Sequence, residues 1–393
     1  MITVAEAKKI IATQAQALPL VNLPLSESAG MRLAEHVFSP IDMPPFNQSA
    51  VDGYAFAFDS WQATQPLRIH GELPAGAEPL QQLAPGTAIR IFTGAAVPAG
   101  ADTVVMQEKT TAQNGMLHIN DTQLTAGANV RLQGADIQKG TLALPVGTVL
   151  QPAAIGFLAG LGITAVPVQQ KPVVHIIVTG NELQQPGLPL HGAQVYESNS
   201  YMLTAALQQV GLQATITYCD DNPDNLREKM HIALQQADVL LLTGGVSVGD
   251  YDFVPTAAAA CGVQQLFHKI QQRPGKPFYF GKKENKLVFG LPGNPSSVLT
   301  CFYEYVLHAL HLLNNSIQTL VVKQAMLAQD MQKNTGLTHF LKANYDGTIV
   351  NALGAQESYR LSSFALSNCL LVLPEIDNTF KKGQEVEVHL LPY

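Results

Sequence analysis

Two hydrophobic rhythms alternate through the middle of the chain. Val173–Val178, Ala214–Cys219, Val239–Leu242 and Lys286–Leu291 are short, mainly apolar runs bounded by turn-forming residues. Such runs predict strands, and the wholly apolar Val239–Leu242 predicts one buried on both faces. Between the runs, apolar positions fall at helical spacing. One such segment, Asn199–Val210, starts at a Ser198 or Asn199 cap and stops at Gly211. A second begins at Asn222-Pro223 and runs to about Ala237, with Pro at the first helical position. Val254–Ala260 and Ser296–Leu313 complete the series. Strand and helix in alternation predict a doubly wound, parallel α/β sheet.

The flanks read differently. Thr3-x-x-Glu6 is a capping box for a helix over Val4–Ala17 that ends before Pro19, and a second short helix is expected over Ser26–Val37. Pro40, Pro44 and Pro45 then form a stiff entry into short strands with Gly and Pro turns, continuing to about Gly140. There Asp52-Gly53 reads as a tight turn before an alternating strand, Tyr54–Phe58, which places Asp52 on an exposed tip. Arg131 and Asp136 near the exit fit a solvent-exposed pair equally well. Thr141–Val168 is turn-rich and apolar. Beyond Asn314 the alternation stops, and turns at Asp346-Gly347 and Lys382-Gly383 predict a small closed β domain. The expected divisions are an α/β domain (1–19 and 171–315), a spacer (20–39 and 140–170), an inserted β-rich domain (40–139) and a C-terminal β-barrel (316–393).

Composition narrows the classes. The 393 residues are 47% hydrophobic and 13% charged, which fits packed domains rather than long disorder. A net charge of −7 gives no electrostatic case for nucleic-acid binding. Cys219, Cys261, Cys301 and Cys369 lie far apart, without the close pairing of a zinc site or disulfide framework, so a reducing compartment is expected. The sequence shows no signal-peptide core and no apolar run of spanning length, so the expected location is cytoplasmic, away from any membrane.

The chemistry gathers at the strand ends, where open α/β sheets bind their ligands. The first strand ends in Thr179-Gly180-Asn181-Glu182, and the second in Asp220-Asp221. The third opens into a glycine loop, with Gly244, Gly245, Ser247 and Gly249 followed by Asp250 and Asp252. The fourth ends in Pro292-Gly293-Asn294 before Ser296. Glycines let backbone N–H groups approach an anion, but Asp250 stands where a phosphate loop needs Lys. A crowded acidic rim calls for a cation or shared protons, and hard oxygen ligands favour Mg²⁺ bridging to phosphate. Asn294 or Ser296 can cap the last helix, whose N-terminus favours an anion. Lys269, Arg273 and Lys276 flank a rigid Pro274-Gly275 turn and are the better anion candidates, whereas Lys282, Lys283 and Lys286 belong to an expected hairpin turn. His308-x-x-His311 lacks a third metal ligand.

Taken in order, these segments resemble the MoeA family of molybdenum-inserting enzymes, which includes the E domain of gephyrin. The resemblance runs through Ser49–Ala55, Ile91–Gly94, Gly100–Val105 with Glu108, Arg131–Asp136, Thr179–Leu183, Ser198–Ser200, Thr243–Asp252, Pro274–Pro277 and Leu291–Ser297. It implies that adenylylated molybdopterin and molybdate react, with Mg²⁺, to give molybdenum cofactor and AMP. It implies a homodimer whose lid, the inserted domain, covers the partner's α/β site, and molybdopterin adenylyltransferase as the upstream partner. Carried over by motif, Asp52 and Thr93 are lid residues. Glu182, Asp221 and Asp252 line the main pocket, and Asp221 and Asp252 hold the metal. Thr179, Gly180, Ser198, Asn199, Asp220, Gly244, Gly245, Ser247, Gly249, Asp250, Pro292, Gly293, Asn294 and Ser296 bind substrate. Arg273, Lys276, Lys342 and Ser358 hold molybdate or phosphate. Asn47, Gln48, Asn181, Arg273, Lys342 and Glu357 depart from the family pattern, and Arg and Lys are not equivalent where an anion is held by two donors. The rival from another class is a scaffold or binding homologue that keeps the fold without the chemistry. A nucleotide-dependent transferase is disfavoured by the missing Walker Lys.

Overall fold

The structure is a computed structural model that describes residues 1–78, 82–245 and 253–392. The chain forms two compact units, residues 22–168 and residues 1–21 with 169–393. Helix α1 (Val4–Gln14), in the larger unit, starts at the expected capping box, with Thr3 accepting from the Glu6 N–H and Glu6 accepting from the Thr3 N–H.

The smaller unit centres on a six-stranded sheet. Its strands are β1 (Gly53–Phe56), β2 (Leu67–Leu73), β3 (Thr87–Ile91), β4 (Thr103–Met106), β5 (Thr110–Gln113) and β6 (Met116–Ile119). They lie in the order β4-β1-β3-β2-β6-β5, and only β2 and β3 run parallel. Gly53 opens a central strand rather than turning a hairpin tip. A Cβ there would lie 1.9 Å from the Val105 carbonyl oxygen, so the close passage of β4 demands glycine.

Two expectations for the flanking segments are corrected. The helix over Ser26–Val37 is only a 3₁₀ turn, Leu25–Glu27. Gly30 takes φ +76°, and Leu33 donates its N–H to the Thr148 carbonyl and accepts from the Gly147 N–H, so the segment's backbone groups are spent across the chain. Conversely, Pro152–Gly160 forms helix α2, with Pro at its first turn. Its residues are apolar nearly all round, so no periodicity marked it.

The larger unit contains the α/β sheet. Its strands are β7 (Val174–Thr179), β8 (Ala214–Cys219), β9 (Val239–Thr243), β10 (Gln264–His268), β11 (Tyr279–Lys283) and β12 (Lys286–Leu291). Their order is β8-β7-β9-β12-β11-β10. The first four are parallel, as expected, but β11 and β10 run antiparallel at one edge. Successive residues of β7 and β9 feed opposite faces. Val174, Ile176, Val178, Val239 and Leu241 pack with α1, α3 (Asn199–Gln209), α6 (Pro295–Cys301) and α7 (Leu307–Leu313). Ile177, Leu240 and Leu242 pack against α4 (Pro223–Gln236) and α5 (Phe253–Ala260). A π-helical segment, Phe302–Val306, joins α6 to α7.

The chain then closes into a five-stranded barrel of β13 (Val321–Leu327), β14 (Thr338–Tyr345), β15 (Ile349–Ala352), β16 (Cys369–Leu373) and β17 (Glu385–Leu390). Neighbours pair in the cycle β14-β15-β13-β17-β16-β14, which leaves the barrel core to residues such as Leu327, Val350, Leu371 and Val388. A short strand, Gln272–Arg273, adds to β14 in parallel, Gln272 opposite Thr338 and Arg273 opposite His339.

Candidate active site

The carboxyl ends of β7, β8 and β9 meet through backbone contacts that only small residues permit. A Cβ on Gly244, where φ is +85°, would lie 2.5 Å from the Thr179 carbonyl oxygen. Thr179 is buried, and its hydroxyl donates to the Thr243 carbonyl at 3.3 Å. Gly180 takes φ +148°, and Gly245 takes φ +63°. The rim above them is polar. Asn181 N–H donates to Asp221 Oδ2 at 3.0 Å, and Asp221 N–H donates back to Asn181 Oδ1 at 3.2 Å. A neutral Asn at this position accepts that bond without adding a charge beside the Asp221 carboxylate. Asp220 accepts two bonds from Asn225 Nδ2, at 2.9 and 3.0 Å. Glu182 is exposed at the same edge. Ser247, Gly249, Asp250 and Asp252 lie outside the described residues.

The start of α3 is fixed by a residue that sequence reasoning missed. Ser198 makes no side-chain cap bond. Glu197, 3% exposed, instead accepts from Ser200 N–H at 2.8 Å and from Ser200 Oγ at 2.5 Å. Asn199 Nδ2 donates to the Gly293 carbonyl at 3.0 Å, tying α3 to the loop before α6.

On the same unit lies a cleft of about 400 Å³ lined by Arg273, Lys276, Pro292, Asn294, Gln356 and Ser358, among others. Arg273 and Lys276 are exposed on either side of the Pro274-Gly275 turn. Asn294 Nδ2 donates to Ser358 Oγ at 3.0 Å, and the buried Ser296 donates its N–H to the Ser358 carbonyl at 3.1 Å. The 358 loop is thus pinned to the start of α6. His339, beside Arg273 and Lys333, is pushed down to about 4, first by burial and then by those cations. It is therefore neutral at physiological pH, and the positive charge facing the cleft is that of Arg273 and Lys276.

Lys342 corrects an expectation. It is 2% exposed, and its ammonium donates to the carbonyls of Ala355, Arg360 and Glu357 at 2.8, 3.0 and 3.4 Å. Its three donors are consumed by backbone, so it cannot grip an anion. It shapes the 355–360 loop that carries Ser358. Glu357, another departure from the family pattern, also lines the cleft and pairs with Arg360 at 3.1 Å.

In the smaller unit, Asp52 and Thr93 come together. Asp52 Oδ1 accepts from the Thr93 N–H at 2.8 Å and from its hydroxyl at 2.7 Å. These two bonds hold the exposed carboxyl below its usual range. Asn47 Oδ1 accepts the Gln133 N–H, and Gln48 pairs with Arg131, so both departures serve backbone structure.

This order of parts agrees with three family models. Residues 2–162 match the MoeA N-terminal region (domains I and II), 175–312 a probable molybdopterin-binding domain, and 324–391 the MoeA C-terminal region (domain IV). A molybdopterin molybdenumtransferase from Haemophilus influenzae is 35% identical, with 94% of each chain covered. The chain belongs to the MoeA family. A second relative of that name, from Nostoc, is 37% identical over 92% of this chain and 87% of its own. A crystal structure of a molybdopterin biosynthesis MoeA protein from Pyrococcus superposes with a TM-score of 0.82 at 30% identity, covering 99% of each chain. No helix among the described residues is long and apolar enough to cross a membrane.

Proposed function

We propose that this chain is a molybdenum insertase that takes molybdate into adenylylated molybdopterin and releases AMP. The observation that carries this reading is the cleft in which Arg273, Lys276, Asn294 and Ser358 converge, in the same compact unit as the carboxylate rim of Asp220, Asp221 and Glu182. Two cations and neutral donors suit a tetrahedral oxyanion. The names of the relatives supply the chemistry of insertion.

The rim fits a hard cation. Asp221 Oδ2 accepts the Asn181 N–H, and no described hydrogen bond engages Oδ1. Asp221, with Asp252, would hold Mg²⁺, which when bound neutralises charge developing on the phosphates. The chain's own groups do the rest. Glycines at 180, 244 and 245 allow the substrate close to backbone. Arg273 and Lys276 orient the oxyanion. Asp52, kept ionised by Thr93, presents a fixed acceptor on the lid. The active form is a homodimer in which Asp52 and Thr93 serve the partner's site, and molybdopterin adenylyltransferase delivers the organic substrate.

AMP release from adenylylated molybdopterin, with molybdate and Mg²⁺ each present or omitted, tests the reading. Release that ignores both additions would sink it. Lys276→Ala should raise the KM for molybdate about tenfold or more, because a charge-assisted contact is lost while the chemical step is untouched. High molybdate should then restore the rate. A rate that saturating molybdate fails to rescue would give Lys276 to the organic substrate instead.

A further inference from the structure

The side chain of Gln272 is spent on the turn beside it. Gln272 is fully buried, and its Nε2 donates to the carbonyls of Pro274 at 2.9 Å and Gly275 at 3.3 Å. Those carbonyls belong to the turn that separates Arg273 from Lys276. The amide cannot flip or swing away, because the Tyr305 hydroxyl donates to its Oε1. Burial pushes the Tyr305 hydroxyl far up, so it remains a donor at any working pH. Tyr305 is itself aimed by the π-helical segment, where Phe302, Tyr303, Glu304, Tyr305 and Val306 are all buried. A π-segment shifts the helical phase, and such segments recur at functional sites.

The turn is fenced on its other sides too. A Cβ on Gly275, where φ is +84°, would meet Cys301 Sγ at 2.6 Å and Gln272 Nε2 at 2.8 Å. The Ile270 N–H donates to the Lys276 carbonyl at 3.0 Å, closing the loop. Every polar brace on the turn therefore acts on backbone, leaving the Arg273 and Lys276 side chains to face the cleft.

We infer that Gln272, locked by Tyr305, is the positioning residue for the oxyanion-binding pair Arg273 and Lys276. The inference rests on the proposed function in one respect, that the cleft takes molybdate. Neither residue touches the substrate. Their effect is to hold two cations at a fixed separation, so that the anion does not have to order the turn itself. Losing that preorganisation weakens binding rather than chemistry.

The experiment measures AMP release while molybdate is varied at saturating adenylylated molybdopterin and Mg²⁺. Gln272→Met keeps the volume but removes the amide, and Tyr305→Phe removes only the lock. The loss of one or two neutral hydrogen bonds should raise the molybdate KM about tenfold in the first and about threefold in the second. In both, kcat and the KM for the organic substrate should stay within about twofold. Combined with Lys276→Ala, Gln272→Met should add less than it costs alone, because the part of its effect that runs through Lys276 is already lost and only the part through Arg273 remains. If Gln272→Met does not fold, Tyr305→Phe reads the same quantity. A normal molybdate KM in the brace variants, with a raised one in Lys276→Ala, overturns the positioning role and leaves the cleft assignment standing. A normal KM in Lys276→Ala overturns both. An additive double variant would make Gln272 a general structural residue and would also overturn the inference.

Discussion

On the proposed metal assignment, Asp221→Asn is expected to lower turnover by about 10²–10³-fold while leaving the fold intact, because several kcal/mol of charge stabilisation would depend on a full negative charge at the cation. Asparagine keeps the acceptor for the Asn181 N–H, and the backbone N–H of residue 221 can still donate to Asn181 Oδ1. Geometry at the end of β8 is therefore preserved. Removing one carboxylate from a rim that also holds Asp220 and Glu182 relieves repulsion, so Tm should hold or rise. Thermal unfolding alongside AMP release separates the two quantities. Near-normal turnover in Asp221→Asn would remove Asp221 from the metal assignment. A large fall in Tm would make Asp221 structural. Asp252→Asn should behave alike.

Glu304→Ala is expected to cost about 3 kcal/mol of stability, the low end of the usual range for breaking a buried pair, because His389 is buried while Lys8 is partly exposed to water. Glu304 is 2% exposed and lies between Lys8 Nζ at 2.7 Å and His389 Nδ1 at 2.6 Å. His389 Nε2 also meets Glu387 at 2.9 Å. Burial alone would depress His389, but the two carboxylates outweigh it and raise the imidazole to about 9. Burial likewise opposes the charge on Glu304, and Lys8 with His389 overcomes it, leaving that carboxyl below its usual range. The signs set a window. The His389 contribution is complete below its unfolded pKa near 6.5 and fades as pH rises through about 9. The Glu304 contribution is present above about 4.5 and fades as pH falls through its lowered value. Wild-type stability should thus decline as pH rises from about 6.5 to about 9 and level off beyond, and the decline should vanish in His389→Leu. An unchanged alkaline limb in that variant would show that His389 is not the titrating group.

Much of this architecture was legible because local and tertiary signals agreed. Ala214–Cys219 and Lys286–Leu291 are strands over the predicted residues, and Asn222-Pro223 caps and opens its helix as expected. The Asp346-Gly347 turn was readable from one side chain, since Asp346 accepts from the Thr348 and Ile349 N–H groups. What was hidden depended on partners distant in sequence. The polar strand Gln264–His268 has no alternation of its own and exists through its pairing with Tyr279–Lys283. Gln272 and Gln356 carry no motif. Gln272 donates to the Pro274 and Gly275 carbonyls, and Gln356 to those of Lys342 and Leu353, so their roles follow from which carbonyls the fold brings to them. Lys342 shows the reverse failure, a cation that the resemblance assigned to an anion but that is turned inward by the carbonyls of the 355–360 loop. His308-x-x-His311 lines a separate cavity with Lys8, Glu304 and His389, and His311 Nδ1 lies 2.6 Å from the Ile317 carbonyl oxygen.

The two-residue strand Gln272–Arg273 has a consequence for how such a protein can be divided or recombined. It hydrogen-bonds to a barrel strand, while the residues on either side of it belong to the α/β part. The barrel's residues also supply Ser358 to the cleft and His389 to the buried carboxylate. Cutting the chain after α7 would therefore not yield a smaller enzyme lacking an accessory domain. It would strip one wall from the cleft, unpair the strand that sets the register of the cationic turn, and expose Glu304. A foreign barrel grafted in its place would have to reproduce all three contacts at once, which makes the last strands part of the site's own inheritance rather than an exchangeable module.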